Sequence, residues 1–345
     1  MKYTNLPNTN IKVSKICLGT MTFGEQNTEK EGHEQLDFAI EKGVNFIDTA
    51  EMYSVPGRKE TQGSTEKIIG SWIAKGNRDK IVLATKIAGP SPGLSYIRDN
   101  MGFSKAAITD AIENSLIRLQ TDYIDLYQLH WPERKTNCFG VRNYRHFEDE
   151  KWYENFSKVV ETLNDLIKQG KIRQYGLSNE TPYGILRYLE ESKEKNLAQP
   201  ISIQNPYSLL NRTFEIGNAE ISIKKNIGLL AYSPLAFGIL SGKFLNGQKH
   251  PKSRVELYPQ MSRYNSPEVE NAVVKYAKIA KKYDLNFTQM SLAFVNQQPF
   301  LTSNIIGATN LNQLKENIAS IDLTLSKDVL KEIEAVFISQ PNPAP

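Results

Sequence analysis

Short apolar segments with the composition of β-strands alternate along this chain with segments of helical period. The eight strand candidates are residues 16–20, 45–49, 81–86, 123–129, 172–177, 201–204, 228–232 and 305–307. Between them, apolar residues recur at three- and four-residue steps, as in Ile108, Ile112, Leu116 and Leu119. The alternation predicts βαβ units and a parallel sheet.

Helix start signals support this pattern. Ser104 is expected to cap a helix over residues 106–119, and Thr181 precedes Pro182 at a first helical position. Thr288 is expected to cap a helix over residues 289–295.

The length of 345 residues fits either two ordinary domains or one large α/β barrel. Eight strand–helix repeats favour the barrel, so we predict an α/β fold with a single (β/α)8 TIM barrel over residues 1–345. An N-terminal hairpin (3–6 and 11–13) is expected to close its floor, and an extra helix (325–338) to follow the last repeat.

Two long segments follow predicted strands, residues 131–156 after the fourth and residues 234–265 after the seventh. Both leave the carboxyl ends of strands, where barrel enzymes form their active sites. Long loops of this kind usually carry function, and a passive insertion is the alternative.

Composition and charge narrow the function classes. The hydrophobic share is 40%, and 42 basic residues face 38 acidic ones, a net charge of +4 without a block of like charges. Disordered, collagen-like and coiled-coil chains are excluded, and no nucleic-acid partner is expected. We expect no export signal and no membrane span. Cys17 and Cys138 are poor material for a disulfide, which favours a cytoplasmic location, and the histidine spacing predicts no metal site.

Titratable side chains stand at the ends of three consecutive apolar strands. Asp48 ends the second strand, Lys86 the third, and His130 follows the fourth, while Tyr53 lies in the loop that leaves Asp48. Each alone has an ordinary alternative role, as a cap, a rim charge, a loop histidine or a packed aromatic. Their coincidence at one barrel mouth favours a site.

These four side chains suit carbonyl reduction or alcohol oxidation. A cation at Lys86 favours the Tyr53 phenolate, which brings that proton within reach of transfer, and Asp48 is the counter-ion that a buried lysine requires. His130 can donate a hydrogen bond to a substrate oxygen. The group lacks a hydride source, so a cofactor must supply it.

Familiar nucleotide-binding motifs are absent, since the chain contains no Gly-x-Gly and no phosphate-binding loop motif. The barrel mouth itself must therefore hold the cofactor. Polar or small residues at the later strand ends are candidates: Ser178, Asn179, Gln204, Tyr232, Ser233, Pro234, Leu235, Gly307 and Thr309. Tyr207 or Tyr232 could stack on a nicotinamide ring.

The chain resembles the aldo-keto reductase superfamily, in the branch of Tas-like proteins and potassium-channel β subunits. The motifs are LGTMTFG at 18–24, FIDTAEMY at 46–53, ATK at 84–86, QLHWP at 128–132, YGLSN at 175–179, QNPYSLLNR at 204–212 and YSPL at 232–235. The tail PNPAP at 341–345 looks like the Tas-like ending. Together the motifs extend through essentially the whole chain.

The resemblance implies Tyr53 as proton donor, Lys86 and Asp48 as its tuning pair and His130 as the orienting residue. It also implies NADP(H) as cofactor. The nicotinamide would contact Ser178, Asn179, Gln204 and Tyr207 or Tyr232; the diphosphate Ser233, Leu235, Gly238 and Lys243; and the adenosine end Gly307, Thr309, Gln313, Glu316 and Asn317.

The chain departs from the monomeric reductases where they carry Lys-Ser and Arg for the 2'-phosphate, having Ala308, Thr309 and Gln313 instead. NADP preference is then expected to rest on Lys243 and Arg263. Arg263 is the better candidate, because a guanidinium clamps a phosphate at two points and stacks on adenine. Solvation at the rim is the alternative for both.

The leading hypothesis is an NADPH-dependent reductase of aldehydes or ketones with Tyr53 as proton donor. Phe23 and Trp131 are expected to contact the small-molecule substrate, together with Met21, Met52, Tyr144, Phe147, Trp152 and Tyr153. This aromatic content predicts apolar or aromatic carbonyl compounds. The alternatives are a nicotinamide-binding redox sensor or accessory subunit with a protein partner, and an aldolase that uses Lys86 as a Schiff base.

Overall fold

The computed structural model describes residues 1–260 and 262–345. Eight parallel strands form a closed barrel in which each strand pairs with its neighbours in chain order and the last pairs with the first. The barrel strands are β3 (Ile16–Gly19), β4 (Phe46–Asp48), β5 (Val82–Ile87), β6 (Ile124–Leu129), β7 (Ile172–Ser178), β8 (Ser202–Pro206), β9 (Gly228–Tyr232) and β10 (Leu301–Ile306). This is the predicted (β/α)8 fold.

Helices surround the barrel. They are α1 (Glu29–Glu41), α2 (Ser64–Ile73), α3 (Lys105–Leu119), α4 (Phe156–Lys168), α5 (Pro182–Glu194), α6 (Asn218–Lys224), α7 (Arg254–Leu257), α8 (Pro267–Lys282), α9 (Phe287–Asn296), α10 (Leu311–Ala319) and α11 (Lys327–Ser339). The predicted extra C-terminal helix is α11. Apolar helix faces and the outward side chains of the strands form one large core between the two layers.

The barrel interior has its own apolar core. Alternate residues of each strand point inward, so Phe46 of β4, Ala84 of β5 and Leu126 of β6 meet in the lumen. An antiparallel hairpin of β1 (Tyr3–Asn5) and β2 (Lys12–Ser14) precedes the barrel. The hairpin contributes Leu6, Ile11 and Val13 to the lumen core, so the prediction that it closes the floor is confirmed.

Two local predictions are wrong. The N-cap of α9 is Asn286, whose side chain accepts a hydrogen bond from the Gln289 amide, whereas Thr288 lies inside the helix. Strand β10 begins at Leu301, four residues before the predicted start. Its polar residues obscure the apolar pattern of the strand in the sequence. Two of them donate hydrogen bonds within the fold: the Ser303 hydroxyl donates to the Ser14 carbonyl at 2.8 Å, and the Asn304 amide to Asn296 Oδ1 at 2.9 Å. By contrast, the Ser104 side chain caps α3 as predicted.

The two long segments leave the carboxyl ends of β6 and β9, as predicted. The first extends to the start of α4 at Phe156, and the second contains short 3-10 turns and α7. The tail after α11 returns to the first segment, where Arg142 Nη2 donates to the Pro343 carbonyl at 2.9 Å. Segment and tail therefore meet over the barrel mouth.

Within the described ranges, no helix is long and apolar enough to cross a membrane. The same residues contain no group of three or more histidine, cysteine, aspartate or glutamate side chains that could hold a metal ion. Cys17 and Cys138 are both free thiols.

Candidate active site

Four polar side chains form the uppermost layer of the barrel interior. Asp48, Lys86 and Gln128 each follow an inward apolar residue by two positions, and period-two alternation turns all three into the lumen. Gln204 joins them from β8, and its Nε2 donates to Asp48 Oδ1 at 2.8 Å and to Gln128 Oε1 at 3.0 Å. Gln128 Nε2 also donates to Asp48 Oδ1, at 3.1 Å. The carboxylate is thus held by two amides.

Lys86 is completely buried and paired with Asp48. Its Nζ donates to Asp48 Oδ2 at 2.6 Å and to the Thr49 carbonyl at 2.7 Å. Burial lowers the pKa of Lys86, but the charges of Asp48 and Tyr53 outweigh burial, and the net shift is upward. The ammonium is therefore permanent near neutral pH, and two of its three N–H groups have protein acceptors.

Tyr53 lies directly above this ammonium, in the loop after β4. Lys86 Nζ is 4.9 Å from the centroid of the Tyr53 ring. The sequence predicted that Lys86 would favour the phenolate. Lys86 does act in that direction, but burial is the larger effect, and the pKa of Tyr53 is raised above its usual value near 10. Tyr53 thus keeps its proton near neutral pH, which suits a proton donor.

His130 completes the group from the end of β6. Its ring centroid is 5.7 Å from that of Tyr53 in an edge-on arrangement. Burial, with a smaller contribution from Lys86, holds the pKa of His130 well below its usual value, so the imidazole is neutral. Its buried Nδ1 has no hydrogen-bond partner among the described residues. A neutral ring with free hydrogen-bonding capacity can bind a substrate oxygen.

Hydrogen bonds join His130 to the ends of β7 and β9. Asn179 Nδ2 donates to the His130 carbonyl at 2.8 Å, and the Tyr232 hydroxyl donates to Asn179 Oδ1 at 2.6 Å. The Ser178 hydroxyl donates to the Gln204 carbonyl at 2.8 Å. The later strand ends are therefore tied to the four candidate catalytic residues.

A cavity of about 2190 Å³ opens above this layer. Asp48, Tyr53 and His130 line it, and Lys86 lies beneath its surface. All the predicted cofactor residues also line it, namely Ser178, Asn179, Gln204, Tyr232, Ser233, Pro234, Leu235, Gly238, Lys243, Arg263, Gly307, Thr309, Gln313, Glu316 and Asn317. The fold thus brings together residues that span most of the chain.

Comparison with known proteins agrees with this geometry. The model of the Aldo/keto reductase family matches residues 15–338. The chain belongs to this family. As an aldo/keto reductase it is an oxidoreductase, from a family that generally uses nicotinamide cofactors and small-molecule substrates.

Curated relatives of this aldo/keto reductase match it from end to end. It is 48% identical to Protein tas of Escherichia coli, with all of both chains covered. It is 33% identical to the uncharacterized oxidoreductase YrpG of Bacillus subtilis over 98% of this chain and 96% of that one. A probable voltage-gated potassium channel subunit beta of Oryza sativa is 29% identical, with 99% and 98% covered. The branch predicted from the motifs is confirmed.

The loop after β9 builds a cationic part of the reductase cavity. Gly238 has φ of +90°, and a Cβ there would lie 3.2 Å from Lys243 Nζ, so glycine lets the ammonium approach the backbone. Arg254 at the start of α7 was not singled out in the sequence. Its guanidinium is 4.9 Å from the centre of the Phe237 ring, and burial lowers its pKa to about 10. Burial and Arg254 together lower the pKa of Lys243.

Arg263 also lines the cavity, but it is not the cation that acts on Lys243. Burial alone would lower the pKa of Arg263, but the hydroxyl groups of Tyr232 and Tyr264 raise it above its usual value, and a Cβ on Gly140 would lie 3.4 Å from its Nε. The cation beside Lys243 is Arg254. The long loop after β9 therefore brings two arginines to the cavity, and Tyr264 is a neighbour of both.

Only some of the residues predicted to contact the substrate line the cavity. Trp131 lines the cavity, and its ring lies against Gly89, where a Cβ would be 2.5 Å from the indole. The expectation for Phe23 is wrong, because its side chain has no exposed surface and packs in the core against α1 and α2. Tyr207, one of the two tyrosines predicted to stack on the nicotinamide, is also completely buried, and its ring stacks on Phe294 with centroids 5.9 Å apart.

Among the predicted aromatic residues of segment 131–156, Phe147 lines the cavity. Trp152 packs on Phe156, and Tyr153 is 86% exposed. Tyr144 is also exposed. The sequence did not single out Gln128, Leu94 or Phe139. Gln128 carried a signal, a polar residue two positions before His130 at the carboxyl end of its strand, whereas Leu94 and Phe139 lie in irregular loops without one.

Proposed function

We propose that this protein is an NADPH-dependent reductase that converts aldehydes or ketones to alcohols, with Tyr53 as the proton donor. The observation that carries the proposal is the arrangement of Tyr53 directly above the buried Lys86–Asp48 pair. Its phenol is protonated near neutral pH, and the cation beneath it stabilises the phenolate that proton donation leaves behind.

Each residue has a distinct task in this reaction. Bound NADPH supplies the hydride. Neutral His130 orients the substrate by a hydrogen bond to the carbonyl oxygen, and Tyr53 gives that oxygen its proton. Asp48, held by Gln128 and Gln204, fixes the position of Lys86 and balances its charge. The barrier falls because the charge that forms on Tyr53 meets a cation already in place.

The cavity residues fit a dinucleotide phosphate. Lys243 and Arg254 have no carboxylate among their charged neighbours, and the glycine at position 238 leaves the backbone open beside them. We assign these two cations to the phosphates of NADPH, and Arg254 takes the role that was predicted for Arg263. At the other end, Asn317 Nδ2 donates to the Gly307 carbonyl at 3.0 Å and shapes the proposed adenosine site.

An aldolase mechanism is disfavoured by the state of Lys86. A Schiff base requires a neutral amine, whereas the raised pKa of Lys86 keeps its nitrogen protonated. The side chain is also completely buried, so no substrate carbonyl reaches it without a rearrangement of Asp48.

Tyr53→Phe tests the proposed chemistry. We expect NADPH oxidation with an aldehyde panel to fall about 10²- to 10⁴-fold in kcat, because the variant keeps the ring and loses only the hydroxyl group that donates the proton. Tyr153→Phe is the matched control, since that side chain is 86% exposed and lies outside the cavity. Equal rates for Tyr53→Phe and wild type would reject the assignment.

Arg254→Gln tests the choice of cofactor. We expect the KM for NADPH to rise about tenfold or more, because a charge-assisted hydrogen bond to phosphate is lost. The KM for NADH, which lacks the 2'-phosphate, measured with the same variant, serves as the control. An equal change with both cofactors would place Arg254 at the shared diphosphate, and no change would remove it from the site.

A nicotinamide-binding accessory subunit is the second candidate. The likeness to a probable voltage-gated potassium channel subunit beta extends over 99% of this chain and favours it. A protein complex whose affinity differs between the NADPH- and NADP+-loaded forms would support this role. High turnover with carbonyl compounds and no such complex would reject the accessory subunit and support the reductase.

A further inference from the structure

The cavity holds more positive charge than the cofactor assignment uses. Eight lysines and arginines line it, against five aspartates and glutamates, so the cavity has an excess of three cationic side chains. Of the eight, Arg134 alone has a carboxylate within 4.0 Å in the described part of the chain, namely Glu180. Lys243 and Arg254 are assigned to phosphates. Five of the eight remain without an assigned function, and Arg263 is one of them.

Two separate sets of contacts place Arg263 toward the substrate end of the cavity. The first passes through hydrogen bonds: Arg263 is beside Tyr232, Tyr232 donates to Asn179 at 2.6 Å, and Asn179 donates to the His130 carbonyl at 2.8 Å. His130 is the residue that would bind the substrate oxygen. Arg263 is therefore joined to the backbone of His130 through Tyr232 and Asn179.

The second set of contacts passes through aromatic rings. Arg263 Nε approaches Gly140, and the neighbouring Phe139 packs edge-on against Trp131 with centroids 5.8 Å apart. The Trp131 ring is 4.9 Å from that of His130. An apolar wall thus connects the guanidinium to the same histidine, and a molecule that spans the two would contact Trp131 and Phe139 along its length.

Arg263 is also ready to bind an anion. The side chain is half-buried, and the groups that act on its charge are tyrosine hydroxyls, with no carboxylate among them. A half-buried guanidinium without a carboxylate partner gains charge-assisted hydrogen bonds when an anion enters. Its planar guanidinium offers two parallel N–H groups, which match the two oxygens of a carboxylate.

We propose that the substrate is a carbonyl compound that carries a carboxylate, and that Arg263 binds this carboxylate while the carbonyl lies at Tyr53 and His130. The inference rests on the reductase activity proposed above. The carbonyl carbon gains a hydride from NADPH, which becomes NADP+, and its oxygen gains a proton. The carboxylate is unchanged. Arg263 therefore determines specificity without taking part in the chemistry.

The test compares 4-formylbenzoate with its neutral methyl ester, in wild type and in Arg263→Gln at saturating NADPH. We expect wild type to prefer the carboxylate. In Arg263→Gln, kcat/KM for 4-formylbenzoate should fall about 10- to 100-fold, mainly through KM, while the value for the ester changes less than about threefold. Arg263→Lys should keep part of the preference. Lys193→Gln, which removes an exposed charge on α5, is the control.

A binding measurement separates this inference from the reductase activity. Titration of the cofactor-free protein with 4-(hydroxymethyl)benzoate, followed by tryptophan fluorescence, should show weaker binding in Arg263→Gln than in Lys193→Gln. If the ester is reduced and Arg263→Gln changes neither preference nor binding, the inference is overturned and the reductase stands. If wild type reduces neither compound but the binding difference persists, the anion site stands and the reductase fails. If the protein reduces neither compound and the binding difference is also absent, the anion site and the reductase are both rejected.

Discussion

Two buried aspartates on neighbouring parts of the barrel show the difference between a structural and a reactive charge. Asp125 lies near the amino-terminal end of β6, and Asp48 lies at the carboxyl end of β4; both are at most 3% exposed. Each is paired with cations and bonded to further N–H donors. They differ in the hydrogen-bonding capacity that their partners keep.

The cluster around Asp125 is closed. Arg78 Nη2 and the Leu83 amide donate to Asp125 Oδ2 at 2.8 and 2.9 Å, and Arg173 Nη1 donates to Oδ1 at 2.7 Å. Arg78 also donates to the carbonyls of Ile81 and Tyr123. The interactions tie loops and strands together at the barrel floor and leave nothing directed at a cavity.

The cluster around Asp48 is open on one side. Lys86 keeps one N–H after its two protein acceptors, and the Tyr53 ring lies over it. His130 has a buried nitrogen without a partner in the described residues. Burial and pairing alone therefore do not mark a reactive site. Unused hydrogen-bonding capacity next to a cavity does.

Of the changes that distinguish the two clusters, Lys86→Met should have the largest effect. The substitution keeps a similar length and removes the charge, so Tyr53 loses the cation that stabilises its phenolate. We expect kcat to fall about 10²- to 10⁴-fold, measured by NADPH oxidation. Lys193→Met is the control for loss of a surface charge. A thermal melt checks folding, and a folded variant with near-normal kcat would contradict the role of Lys86.

Asp125→Asn should show the reverse profile. Removal of the charge leaves Arg78 without its buried partner, so we expect a loss of about 3 kcal/mol in the free energy of unfolding. The kcat of the folded fraction should stay within about twofold. Asp122→Asn, at an exposed position nearby, provides the control in denaturant titrations. A selective loss of kcat would show that the two clusters are coupled.

The smallest effect on kcat should come from a change of pH between about 6 and 9. Burial raises the pKa of Tyr53, so its proton is present throughout this range and is lost only as the pH rises above about 10. Burial and Lys86 lower the pKa of His130, which keeps it neutral over the same range. A profile of kcat at saturating NADPH should therefore be nearly flat. A fall of tenfold between pH 7 and 9 would contradict proton donation by Tyr53.

The sequence was sufficient for the parts of the site that regular structure positions. Asp48, Lys86 and His130 are predictable because parallel strands bring their carboxyl ends to one mouth, and Tyr53 because its loop is short. The same reasoning extends to Gln204, which the alternation of β8 turns toward Asp48. Here local periodicity determines position in space.

The parts that failed depend on packing that periodicity does not encode. Arg254 and Arg263 lie in a long irregular loop, where periodicity does not indicate which of the two is the neighbour of Lys243. Phe23 follows a strand end as rim residues do, but the turn after β3 directs it into the core beneath Gly32 of α1. Asn286 and Thr288 are both capable caps, and only the packing of α9 distinguishes them.

Cys138 gives the cavity a chemical reporter. Of the two thiols in the chain, Cys17 is completely buried, whereas Cys138 is half-buried and lines the cavity beside Arg263. Burial raises the pKa of Cys138 to about 11, so roughly one thiol in a thousand is ionised at pH 8. Alkylation of the native protein should therefore be slow and confined to one residue. Its rate, followed by mass spectrometry, then measures how often the substrate end of the cavity is occupied.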